Sequence, residues 1–145
     1  MGILQCIGNT PLASIDLNPN PAVKLFAKLE GNNPGGSVKD RIAMYMVEAA
    51  EKEGRLTKDK IILEATSGNT GIGLAMVATA KRYRLKLTMP ACVSIERRRI
   101  LEAFGAELIL TPSNEGTDGA IRLAHKILSE DPDRYFMPNQ FDNEA

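Results

Sequence analysis

The stretch Ile61-Ile62-Leu63-Glu64-Ala65-Thr66-Ser67-Gly68-Asn69-Thr70-Gly71-Ile72 decides how the rest of the chain is read. Ile61-Ile62-Leu63 is short and continuously apolar, as expected of a strand covered on both faces. Thr66 to Gly71 breaks that run, and Ile72 to Tyr83 then reads as a helix that is apolar almost all round. Such a helix is buried on most sides. The intervening loop has successive backbone amides, two glycines and three hydroxyl side chains, a composition suited to seating a carboxylate or phosphate. In open α/β sheets that loop lies at the carboxyl ends of the strands, where ligands bind. An ordinary strand-to-helix turn with a hydroxyl cap has the same composition, so the loop does not decide function alone. It is neither a Walker A loop, since no Gly-Lys-Ser/Thr follows, nor the dinucleotide fingerprint.

Outward from this stretch, strand and helix patterns alternate. Leu85 to Met89 is the next strand, closed by Pro90. Ser94 can cap a helix running to Phe104, and Gly105 ends it. Glu107 to Thr111 reads as a strand, Ala120, Ile121, Ala124, Ile127 and Leu128 mark an amphipathic helix over 117–130, and Tyr135-Phe136-Met137 is the last strand before Asn139-Gln140-Phe141. On the amino side, Val23 to Glu30 is strand-like, and Ile42, Ala43, Met46, Val47 and Ala50 give one apolar face to a helix over 40–54 that Gly54 stops. The pattern predicts an α/β fold, a parallel sheet with helices on both faces in three layers. Residues 1–22 read as a short extended lead-in, interrupted at Gly8-Asn9-Thr10-Pro11 and at the Asn18-Pro19-Asn20-Pro21 turn.

The second chemical signal is Asn33-Pro34-Gly35-Gly36-Ser37-Val38-Lys39-Asp40-Arg41. A helical pattern opens at Ser37, so Lys39 falls in the first turn, after a glycine loop that lets other groups approach. The positive end of a helix dipole disfavours an ammonium. That setting favours the neutral, nucleophilic amine that Schiff-base chemistry needs. Ser37 and Asp40 fit a capping box. A solvated lysine on a surface helix is the competing reading, and the Thr66–Gly71 loop weighs against it.

Composition narrows the classes. At 145 residues, with 43% hydrophobic and 25% charged residues, the chain is sized for one domain with a real core. Eighteen basic residues balance eighteen acidic ones, so nothing global points to nucleic acid or a membrane, and no stretch is long enough to span one. Cys6 and Cys92 match no metal-ligand spacing and, with the lone His125, leave a metal site without ligands. The cysteines are expected to be buried packing residues, His125 and Arg97-Arg98-Arg99 solvated, and the protein cytoplasmic.

Taken together, N-N-P-G-G-S-V-K-D-R and E-A-T-S-G-N-T-G-I-G, in this order and spacing, closely resemble the fold-type II pyridoxal-phosphate enzymes. Within them the chain looks most like the cysteine synthases (O-acetylserine sulfhydrylases), and its wording leans toward the B type. Ile7-Gly8-Asn9-Thr10-Pro11-Leu12, Met89-Pro90, Ser94-Ile95-Glu96-Arg97-Arg98, Phe104-Gly105-Ala106-Glu107 and Asn139-Gln140-Phe141 match the family too. Cystathionine β-synthase has a similar core and remains an alternative.

The resemblance implies pyridoxal 5'-phosphate as cofactor, bound as a Schiff base to Lys39, with Asn69 hydrogen-bonded to the cofactor's 3′ oxygen. It implies that Thr66, Ser67, Gly68, Thr70 and Gln140 hold the α-carboxylate of an amino-acid substrate. The implied reaction replaces the acetate of O-acetylserine by sulfide, or by thiosulfate in the B type, with ping-pong kinetics. A homodimer is implied, as is a serine acetyltransferase whose C-terminal tail enters the site; a non-catalytic module binding a carboxylate-ended peptide is a further reading. The family continues past this length, through a second Gly/Thr-rich loop that holds the cofactor phosphate. Residues 1–35 are therefore expected to be a lead-in belonging to a larger, mostly missing domain, and 36–145 the small α/β domain of a tryptophan synthase β-like fold. On that view the piece is inactive alone, and its apolar lead-in is mobile, swapped or paired in a dimer.

Overall fold

The computed structural model describes residues 2–16, 20, 22–140 and 142–143. After a 3-10 turn at Ile3–Cys6, β1 (Leu12–Ile15) and β2 (Leu25–Lys28) pair antiparallel, from Leu12 opposite Lys28 to Ile15 opposite Leu25. A second 3-10 turn, Glu30–Asn32, leads to α1 (Lys39–Lys52). There follow β3 (Ile61–Ala65), α2 (Asn69–Lys81), β4 (Arg84–Pro90), α3 (Ile95–Ala103), β5 (Glu107–Thr111), α4 (Gly116–Glu130) and β6 (Tyr135–Phe136). The last four strands form one sheet, in the order β5-β4-β3-β6, and every pairing in it is parallel. The expected three-layer α/β unit is what forms.

Alternation along β3 separates two cores. Ile62 faces α1 and α2, sharing a cluster with Met46, Val47, Leu74, Val77, Leu87 and, from α3, Leu101. Ile61, Leu63 and Ala65 face the other way, onto Ala120 and Ala124 of α4. All five residues of β3 are buried, which explains why its sequence reads as one apolar run. Glu64 is the exception inside it. The sequence reading takes only the apolar run Ile61-Ile62-Leu63 as strand, yet Glu64 is a strand residue and 3% exposed.

Helix ends differ from expectation in instructive ways. Gly54 and Gly105 sit at φ 72° and 82° just past α1 and α3, the left-handed conformation that glycine adopts without strain. Ser94 caps α3, its Oγ accepting from the Arg97 amide at 3.5 Å. The Ser37–Asp40 capping box does not form. Ser37 Oγ instead accepts from the Lys39 amide at 3.2 Å, and the Asp40 carboxylate turns back to accept from the Gly35 amide at 2.5 Å. α2 starts three residues earlier than its apolar pattern, at Asn69, so the last part of the loop is already its first turn. It stops at Lys81, because Arg82 takes a left-handed φ of 61°.

The lead-in is more than an extended segment. Ile7 is buried in the core formed by α1 and α2, with Leu4 packed beside it. Residues 8–10 are tied to α1 and to the segment before it: Arg41 Nη2 donates to Thr10 Oγ1 at 3.0 Å, Thr10 Oγ1 donates to Glu30 Oε1 at 2.7 Å, Arg41 Nε donates to Glu30 at 2.8 Å, and Asn33 Oδ1 accepts from the Gly8 amide at 2.9 Å. Of the proposed turn at Asn18-Pro19-Asn20-Pro21, Asn18, Pro19 and Pro21 lie outside the described residues, as does Phe141. Cys6 and Cys92 are exposed and free, not core residues, while His125 is exposed as expected.

Candidate active site

The site is assembled where α1 and α2 begin. Gly73, in the second turn of α2, is what lets them meet: a Cβ there would stand 3.0 Å from the Lys39 carbonyl oxygen and 3.1 Å from the Ala43 Cβ. The start of α1 and the Thr66–Gly71 loop are therefore brought to the same, carboxyl end of the sheet. Lys39 is half-buried, and among the described residues its amine forms no ion pair and no hydrogen bond. Beside it Asp40 is fully buried, and among the described residues its Oδ1 has no hydrogen-bond partner. Burial raises the Asp40 pKa, opposed by the hydrogen bond from Gly35. A Cβ at Gly35 would collide with the Asp40 carboxylate, which would have to move. The residues before Lys39 are thus tied to its helix by the Asp40 carboxylate on the Gly35 amide and by Ser37 Oγ on the Lys39 amide.

Across from Lys39, Thr66 and Thr70 are buried, Ser67 and Gly68 are half-buried, and Asn69 is exposed. Thr66 Oγ1 accepts from the Gly68 amide at 3.4 Å, and the Gly68 carbonyl accepts from the amides of Gly71 and Ile72. Among the described residues the amides of Ser67, Asn69 and Thr70 donate to no protein acceptor, as the open first turn of a helix requires. Those amides are free to take an anion. The loop is braced from α3: Arg97 Nη1 donates to the Ser67 carbonyl at 2.9 Å. Arg98 likewise donates to the carbonyls of Ala91 and Val93. Arg97 and Arg99 are exposed, as the sequence predicts, whereas Arg98 is half-buried.

The longest-range contact in the site joins Thr70 to Gln140, the hydroxyl donating to Gln140 Oε1 at 2.7 Å. Seventy residues separate the two in sequence. The parallel placement of β6 beside β3 is what brings them together. Sequence reasoning gave Asp40 only a capping role and missed Glu64, although a carboxylate inside the run Ile61–Ala65 is a visible anomaly. A depression of about 540 Å³ opens elsewhere, at the amino ends of the strands, lined by Arg82, Arg84, Lys86, Glu107 and Arg134. It holds neither Lys39, nor the Thr66–Gly71 loop, nor Gln140. Among the described residues no His, Cys, Asp or Glu cluster could hold a metal ion, and no helix is long and apolar enough to cross a membrane.

A family model described as pyridoxal-phosphate dependent enzyme matches residues 3–145. The chain belongs to that family. A cysteine synthase from a Flavobacterium species is 54% identical over 142 residues, which is 98% of this chain and 46% of the relative. Among solved structures, the cysteine synthase of Entamoeba histolytica superposes with a TM-score of 0.94 at 44% identity, covering 98% of this chain and 44% of that one. The O-acetylserine-dependent cystathionine β-synthase of Helicobacter pylori reaches a TM-score of 0.86 at 38% identity, over 97% of this chain and 47% of its own. The chain thus spans about half the length of the relatives it matches.

Pyridoxal phosphate is the family's cofactor, and the residues present fit its aldehyde end. An unpaired, half-buried amine stands at the start of a helix. Gly36 and Gly68 leave open space where a Cβ would otherwise stand.

Proposed function

We propose that this chain supplies the cofactor lysine and the carboxylate seat of a β-replacement enzyme that makes L-cysteine from O-acetylserine and sulfide or thiosulfate. The observation that carries the reading is the Thr70–Gln140 hydrogen bond, which pairs two polar side chains beside unpaired amides at the start of α2. Lys39 would hold the cofactor through its amine, and Asn69 would face the cofactor's ring oxygen. When bound, pyridoxal phosphate supplies an electron sink for negative charge at the substrate Cα. The amides of Asn69 and Thr70, the hydroxyls of Thr66, Ser67 and Thr70, the Gly68 turn and the Gln140 amide seat the α-carboxylate. Once the substrate's own amine has taken its place on the cofactor, the freed Lys39 amine would be the base that takes the Cα proton. The helix-terminal amides stabilise the carboxylate without reorganising, as preorganised donors do.

The likeness to the Helicobacter pylori protein favours one second reading, a cystathionine β-synthase-like enzyme in which a thiol amino acid is the incoming nucleophile. The same seat suits a peptide's C-terminal carboxylate, which is how the tail of a serine acetyltransferase would dock. On this reading residues 1–35 belong to a larger domain and the working assembly is a homodimer.

A chimera tests the seat, with this chain replacing the matching segment of the Flavobacterium relative. Losing a hydrogen bond to a charged group costs about 1.5–3 kcal/mol, so Thr70→Ala and Gln140→Ala should each raise KM for O-acetylserine about ten- to hundredfold. Bound cofactor should stay, seen as unchanged visible absorbance. Unchanged KM in both variants moves the seat elsewhere.

A further inference from the structure

Glu64 is a carboxylic acid set into an apolar strand, 3% exposed, and the chemistry above gives it no task. A buried carboxyl group is unfavourable unless something nearby uses it. Its Oε1 accepts from the Ala65 amide at 3.2 Å, while Oε2 has no partner in hydrogen-bonding geometry among the described residues. The backbone amides of Asn139 and Gln140 face the group: burial raises its pKa, and these amides with that of Ala65 oppose the rise.

The local backbone explains why those amides are there. β6 pairs with β3 only at Ile61–Tyr135 and Ile62–Phe136, and the same register carried onward sets Pro138 opposite Glu64. Proline has no N–H to donate, so the ladder stops. Pro138 is fully buried, and Asn139 then takes a left-handed φ of 53°. Successive amides around such a turn form a concave pair of donors, the shape that seats an oxygen anion or a carboxyl oxygen.

We propose that Glu64 is the positioning residue of this site, anchoring the Asn139–Gln140 backbone to β3 so that the Gln140 side chain meets Thr70. The proposal rests on the reading of Thr70 and Gln140 as the carboxylate seat, and it says what sets their spacing. Both walls of the seat are then referenced to one strand: β3 runs directly into Thr66, and two residues earlier it holds the segment that carries Gln140. Glu64 touches no substrate on this account. It acts only through Gln140.

Two variants of the 145-residue chain separate an anchor from a space-filler, read by amide hydrogen exchange residue by residue. Glu64→Gln keeps shape and polar atoms, whereas Glu64→Met keeps length and removes the polar atoms. An apolar replacement of similar shape leaves no buried group unsatisfied on β3, so the fold should hold. Exchange at Asn139 and Gln140 should speed up about tenfold or more in Glu64→Met and stay within about threefold in Glu64→Gln, with Ala43 and Val47 of α1 unchanged in both. Equal exchange at Asn139 and Gln140 in all three proteins overturns the proposal, as does Glu64→Gln exchanging as fast as Glu64→Met. No substrate or cofactor enters this measurement, so it fails only with the anchor. The KM of the chimera described above fails only with the carboxylate seat.

Discussion

The two sheets of this molecule are built from similar apolar residues and held by different forces. In the parallel sheet every residue of β3 is buried between helices. In the hairpin no residue of β1 or β2 is fully buried, and Leu12 is 62% and Phe26 55% exposed. The first sheet is stabilised by hydrophobic burial. The second is secured where it meets α1, by the Arg41–Glu30–Thr10 contacts and by Asn33, whose amide nitrogen donates to Glu30 Oε2 at 2.8 Å. An apolar strand is therefore not evidence of a core until its cover is identified. Here α1, α2 and α4 cover one sheet, and among the described residues nothing covers the outer face of the other.

The largest expected contrast is in stability. Leu63→Ala, at a fully buried position, should destabilise the fold by about 2–5 kcal/mol, while Phe26→Ala in the hairpin should change it by no more than about 0.5 kcal/mol. Urea denaturation followed by circular dichroism measures both. Equal losses would mean that the hairpin has a core of its own.

A smaller effect is expected where the covered half meets the site. Gly73→Ala places a methyl group 3.0 Å from the Lys39 carbonyl, in a contact between two helices that cannot easily part. Overpacking of that kind costs about 1–3 kcal/mol. The Lys39 end of α1 should shift more than its carboxyl end, which amide chemical shifts report; shifts spread evenly along α1 would show that the close approach is not localised there.

The smallest effect concerns the polar tie of the hairpin. The Glu30 carboxyl is held at about 2, below its ordinary 4.5, first by its hydrogen bond to Arg41 and then by that to Thr10. A depressed carboxylate pKa means the tie is at full strength above about 4.5 and is lost as pH falls through about 2. Exchange at the Gly8 amide should therefore stay protected down to that range. Arg41→Ala should make it exchange roughly tenfold faster at neutral pH, as expected for loss of a charge-assisted hydrogen bond. Loss of protection already near pH 4.5 in the unmodified chain would show that Glu30 is not what holds the segment.

Much of this architecture is legible in the sequence, and the unread parts share a cause. Helix stops at Gly54 and Gly105 and the cap at Ser94 are local, so a few residues determine them. Lys39 and the Thr66–Gly71 loop are readable for the same reason, each being a break between a strand and a helix. The Thr70–Gln140 contact has no local signal; the resemblance alone pointed to Gln140. The capping box at Ser37 failed because Asp40 found a tertiary partner in the Gly35 amide. The burial of Glu64 has no local signal either, because the amides at 139 and 140 that face it are distant in sequence. Arg97 and Arg98 look like a solvated run, and the carbonyls they bind belong to the loops at 67 and 91–93.

The central claim is that Lys39 is the cofactor lysine, and chemical trapping tests it most directly. The chain is mixed with substoichiometric pyridoxal phosphate, reduced with borohydride to fix any Schiff base, digested and mapped by mass spectrometry. The pyridoxyl mass should fall on the peptide containing Lys39 in preference to exposed lysines such as Lys24, Lys52 and Lys58. Label spread over those surface lysines with Lys39 unmodified would contradict the assignment.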